Sequence, residues 1–89
     1  MLTFLLWAAC QYHTHLEWRP PTSKNVVGYN VYRRLASDKD YQKINPYLVK
    51  DTDYNDPLPC FIRANYYVTS VDKKGRESKP SNYFTVAKP

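Results

Sequence analysis

The chain has 89 residues, room for one domain with a single modest core. Thirteen Lys and Arg against eight Asp and Glu give a net charge of +5, but only Lys73, Lys74, Arg76 and Lys79 cluster. They fall in one expected turn, which argues against the cationic stripe with interleaved aromatics that nucleic-acid binding uses.

Taken in chain order, the sequence opens on an apolar run, Phe4–Cys10, that turns abruptly polar at "QYHTHLEW". No Lys or Arg precedes the run, as a targeting signal would require, and it is far shorter than the ~20 residues that span a bilayer. It is expected to be a first strand, with no membrane role. "THLEW" (Thr14–Trp18) alternates, placing Leu16 and Trp18 on one face and His15 and Glu17 on the other. Pro20 and Pro21 then end the ladder. "VVGYNVYRR" (Val26–Arg34) is a strong strand around Tyr29 and Val31, and "DYQKIN" and "DTDYNDP" are short candidates bounded by turn residues. "NYYVTSVD" (Asn65–Asp72) puts Tyr66, Val68 and Ser70 on one face and Tyr67 and Thr69 on the other. Gly75 supplies a turn within "KKGRESKPSN", and "YFTVAK" (Tyr83–Lys88) is the last strand. Nothing of helical length carries a 3.6-residue period. Nine tyrosines, seven prolines and two glycines complete an all-β picture of about seven short strands, the pattern of an antiparallel sandwich.

"LEWRPP", "VVGYNVYRR", "DYNDPLP" and "YYVTSVDKKGRESKPSN" together resemble a fibronectin type III domain of the bacterial kind, over Leu16 to Pro89. The resemblance implies a seven-stranded antiparallel immunoglobulin-like sandwich, three strands facing four, filling residues 1–89. It makes Trp18 the core tryptophan, Tyr29, Val31, Tyr66 and Val68 inward residues, and Leu58 the leucine before the turn between the fifth and sixth strands.

Two segments depart from that family's pattern. A tyrosine usually stands six residues after the leucine and ties down the corner with its hydroxyl; here that position is Ala64. "PCFIRA" (Pro59–Ala64) replaces a small polar turn, leaving Phe61 and Ile62 without an obvious core to enter. In the first strand the family register points Phe4 and Leu6 inward and Leu5 and Trp7 outward, alongside His13 and His15 of the next strand. The expected turn near Cys10–Tyr12 and the turn near Cys60–Arg63 lie at one end of such a sandwich. Leu5, Trp7, Tyr12, Phe61 and Ile62, rimmed by His13, His15 and Arg63, could therefore form one apolar patch of the kind that binds a protein partner. The alternative is that Trp7, Phe61 and Ile62 fold back to fill the space of the missing tyrosine.

A scaffold that keeps a family's rules except in two adjacent segments suggests a surface rewritten into an interface, an engineered binder. A spacer module of a larger secreted bacterial protein and a homodimer through the edge of the first strand are the other readings, and the scaffold type suggests an extracellular setting. Cys10 with His13 or His15 has the residue types of a nucleophile–base pair, but neither a helix terminus nor a Gly-rich turn is at hand to lower the thiol pKa or stabilise an oxyanion. No catalysis, metal or cofactor is expected. Cys10 and Cys60 could form a disulfide if their Cα atoms lie within ~7 Å.

Overall fold

The computed structural model describes residues 11–22, 25–59, 62–81 and 83–87. Six strands follow in chain order: β1 (Gln11–Glu17), β2 (Val26–Leu35), β3 (Gln42–Lys43), β4 (Asp53–Pro59), β5 (Arg63–Asp72) and β6 (Phe84–Ala87). They form two antiparallel sheets, β1–β4 and β3–β2–β5–β6, and no helix occurs among the described residues.

Period-two alternation decides what each sheet buries. Tyr12, Thr14 and Leu16 of β1 stand opposite Leu58, Asp56 and Tyr54 of β4. Val31, Arg33 and Leu35 of β2 stand opposite Val68, Tyr66 and Ala64 of β5. These two faces meet: Leu16, Tyr29, Val31, Leu58, Ala64, Tyr66 and Val68 form one buried cluster, with Trp18, Leu35, Ile44, Tyr54, Ile62 and Phe84 packed against it. Each fully buried aliphatic side chain contributes about 1.5–3 kcal/mol.

A polar link crosses this core. Asp56 of β4 accepts two hydrogen bonds from Arg33 Nη1, at 2.8 and 3.0 Å, and one from the Tyr66 hydroxyl at 2.5 Å. The carboxylate side chain is only 6% exposed, so its charge depends on these donors in place of water. Burial, and then the bond to Asp56, push the Tyr66 hydroxyl well above its usual pKa.

Backbone geometry is secured at three further points. Asn45, itself buried, accepts from Val31 N at 2.8 Å and donates to Asn30 Oδ1 and Tyr47 O, both at 3.0 Å. Gly28 sits at a register shift in β2, where a Cβ would meet Leu48 Cγ and lie 2.9 Å from Val49 O. Gly75 takes φ 80° in the turn after β5, where Asp72 accepts from Lys74 N and Arg76 N.

Several sequence expectations shift. The first strand expected over Phe4–Cys10 lies outside the described residues. Tyr12 belongs to β1, not to a turn, and its register places it on the core-facing side. "DYQKIN" yields only Gln42–Lys43. Strand β5 begins at Arg63, two residues early, and β4 runs to Pro59, so most of the segment expected as a turn, Pro59–Ala64, is strand where it is described. Ile62 packs on the core rather than standing free. Ala64 is fully buried, and Tyr66, two residues on, carries the hydroxyl that ties β5 to β4.

Candidate functional site

The outer face of β3–β2–β5–β6 carries the most distinctive side-chain arrangement among the described residues. The alternation that turns Val31, Arg33, Tyr66 and Val68 inward turns Tyr32, Arg34, Tyr67 and Thr69 outward. Tyr32 and Tyr67 are direct cross-strand partners, and their rings stack at 4.7 Å with 15° between planes. Tyr41, just before β3, brings its ring within 4.8 Å of Tyr67. Tyr83, just before β6, lies 5.3 Å from Tyr67 and 5.6 Å from Tyr41. Tyr67 is thus the hub of a four-ring array. The Arg34 guanidinium sits over the Tyr41 ring, 5.6 Å from its centre, within cation–π range.

A carboxylate organises one side of this array. Glu77 accepts from the Tyr32 hydroxyl, 2.9 and 2.8 Å from its two oxygens, and from the Thr69 hydroxyl at 2.6 Å. The Thr69 bond, reinforced by Tyr32, holds the Glu77 carboxyl below its usual pKa despite partial burial. Burial and the bond to Glu77 push the Tyr32 hydroxyl up to about 12. Burial, with Tyr83 and Glu77 nearby, also raises Tyr67. The Tyr32 and Tyr67 phenols therefore stay neutral at physiological pH, Tyr32 with its proton donated to Glu77. Beyond the rings, Thr85 donates to Asn65 at 2.6 Å across β6 and β5. Lys43 lies beside Tyr32 in register, and Arg63 is exposed on the same side of β5 as Tyr67. Tyr83 is 61% exposed, so the array is open to solvent at that end.

The site expected from sequence is distributed differently. Leu5, Trp7, Cys10, Cys60 and Phe61 lie outside the described residues. His13 and His15 are exposed on the outer face of β1–β4, the opposite side of the sandwich from Arg63. Tyr12 and Ile62 are directed to the core side between them. The described members of that patch therefore do not share one face. His15 Nδ1 is 2.7 Å from Asn55 Oδ1, and its Nε2 is 3.4 Å from Glu17 and 3.6 Å from Asp53. These are the contacts of a surface polar cluster, and no three side chains among the described residues are grouped to hold a metal ion.

A cleft of about 150 Å³ opens beside Trp18, Tyr29, Ser70, Ser78 and Ser81. That is below the ~300 Å³ at which small-molecule pockets begin. The hydroxyls of Ser78 and Ser81 are engaged by the backbone N–H groups of Ser70 and Val68.

The four-tyrosine array is the feature that sequence reasoning missed. The doublet Tyr66–Tyr67 was a local sign, since alternation must send one of the two rings outward. Tyr41 and Tyr83 could join it only once strand order and register were known. The chain matches no protein-family model and shows no significant similarity to any curated protein.

Proposed function

We propose that this chain is a non-enzymatic binding module that holds a partner protein against the outer face of β3–β2–β5–β6. The supporting observation is the open array of Tyr32, Tyr41, Tyr67 and Tyr83 with Arg34 beside it. Tyrosine supplies large, rigid contact area at low entropic cost, and Tyr and Arg dominate the energetics of protein interfaces. Packing the rings on one another fixes their positions before any partner arrives, so less freedom is lost on binding. A module acting only as a spacer gains nothing from placing four aromatic rings on one exposed sheet face.

The scaffold reading that goes with it is a fibronectin type III-like sandwich, with β1–β4 facing β3–β2–β5–β6. It is supported by the sequence segments that resemble that family and by the order of these strands. A first strand next to β1 would complete the seven.

Panning a random dodecapeptide display library on the protein, with counter-selection on the Tyr41→Ser/Tyr83→Ser variant, tests the binding role. The expected result is a set of peptides held by the wild type and not by the variant, with both proteins melting alike. Recovery of no peptides, or of peptides that bind both proteins equally, would count against this face.

A further inference from the structure

We infer that the partner of the tyrosine face is an acidic protein segment, bound through carboxylates that meet Arg34, Lys43 and Arg63 and the phenol hydroxyls between them. This rests on the binding role proposed above and adds the chemistry of the occupant. The whole chain carries +5, and a second copy of it would bring like charge to like. On the face itself the cations are Arg34, Lys43 and Arg63, while Glu77 is turned to Tyr32 and Thr69. Glu77, Asp38, which accepts from Leu35 N, and exposed Asp40 keep their negative charges, so with Lys39 in the loop the face and its rim carry four cations against three anions, a net of one positive charge. With the Tyr32 hydroxyl donated to Glu77 and one Arg34 N–H to Asp38 O, the donors that face a partner are the remaining guanidinium and ammonium N–H groups and the hydroxyls of Tyr67 and Tyr83.

An anionic partner could also be single-stranded nucleic acid, but the ring geometry favours protein. Nucleobases need free aromatic faces on which to stack. Here Tyr32 and Tyr67 cover each other at 4.7 Å, and the guanidinium of Arg34 occupies one face of Tyr41. Tyr83, 61% exposed and in no stacked pair, is the ring left most open, and one open ring is less than the run of free faces on which successive bases stack.

The test uses the intact chain and the face-dependent peptides recovered from the library. Those peptides should be enriched in Asp and Glu over the unselected library. Synthetic versions with every Asp and Glu replaced by Asn and Gln should bind at least about tenfold more weakly at ~0.01 M salt, where screening extends ~30 Å. The difference should fade at ~1 M salt, where it extends ~3 Å. Arg34→Gln/Lys43→Gln should remove the preference for the acidic peptide, and an oligothymidylate of equal length should compete poorly. The inference is overturned if the amide versions bind as well as the acidic ones, if the double variant keeps the preference, or if the oligothymidylate displaces the peptide at equal concentration. If neutral peptides bind and are lost on Tyr83→Ser, the face is a docking surface and only its acidic chemistry falls. If no peptide depends on the face, both readings fall.

Discussion

Asp56 is the residue whose environment most constrains this molecule. Its carboxylate is 6% exposed and joins β4 to β2 and β5 through Arg33 and Tyr66. Tyr66→Phe removes one neutral donor and should cost about 1–3 kcal/mol. Asp56→Ala leaves Arg33 without its partner, and a stranded charge of this kind costs about 3–5 kcal/mol when buried. Arg33 is 26% exposed and can recover some hydration, so the lower end applies. Urea unfolding should rank Asp56→Ala below Tyr66→Phe at unchanged slope, and the reverse order would remove the charge argument. Gly28→Ala belongs at the same scale, because the added methyl meets Leu48 and Val49 in a close-packed crossing. It should lower the urea midpoint by the equivalent of about 1–3 kcal/mol, as overpacking does. Some of this was legible in sequence. Alternation puts Leu16, Tyr29 with Val31, and Tyr66 with Val68 each on one strand face, the family resemblance turns Tyr29, Val31, Tyr66 and Val68 inward and adds Leu58, and all six are buried. Arg33 and Asp56 did not follow, because a charged residue at an inward position looks like a break in the pattern until its partner across the sheets is known.

At the scale of elements, the strong strands were readable and the weak ones were not. β2 and β5 are long runs of β-branched and aromatic residues, and their expected bounds hold within two residues. β3 shrinks to two residues because Gln42 and Lys43 carry no apolar alternation, and pairing with Tyr32 and Arg33 alone defines it. β4 contains Pro57 and Pro59, which lack N–H donors, and among the described residues it pairs only with β1. Those prolines blunt an edge that would otherwise invite another strand. Replacing both, Pro57→Thr with Pro59→Thr, should raise the tendency to self-associate, read as a concentration-dependent increase in sedimentation coefficient. A monomer at every concentration would show that the edge is guarded by something else. The tyrosine array also belongs to this scale. Its rings come from β2, β5 and the segments entering β3 and β6, so no single stretch of sequence announces it.

For the whole molecule, titration couples both buried and surface phenols to stability. Tyr32 ordinarily loses its proton near pH 10 and in the fold near 12. Between these values the folded state holds a proton that the unfolded chain has released, so stability falls as pH rises through this window. Tyr66, raised by burial and by Asp56, adds to the same alkaline loss. Glu77 acts in the opposite direction on the acid side. Its carboxyl is held below the ordinary 4.5, so the stability it contributes is present above that value and disappears as pH falls below it. Melting temperatures should therefore decline on both sides of neutrality, and Tyr32→Phe should flatten part of the alkaline limb. An alkaline limb unchanged in Tyr32→Phe would mean that the Tyr32–Glu77 link contributes nothing to folding. In the proposed function another protein docks on the aromatic face of the four-stranded sheet. The most direct measurement is a map of amide chemical shifts during titration with a selected peptide. Changes are expected to centre on Tyr32, Lys43, Tyr67, Tyr83 and Thr85, while His13, His15 and Asn55 stay still. Changes confined to those last three residues, on the opposite sheet, would contradict it.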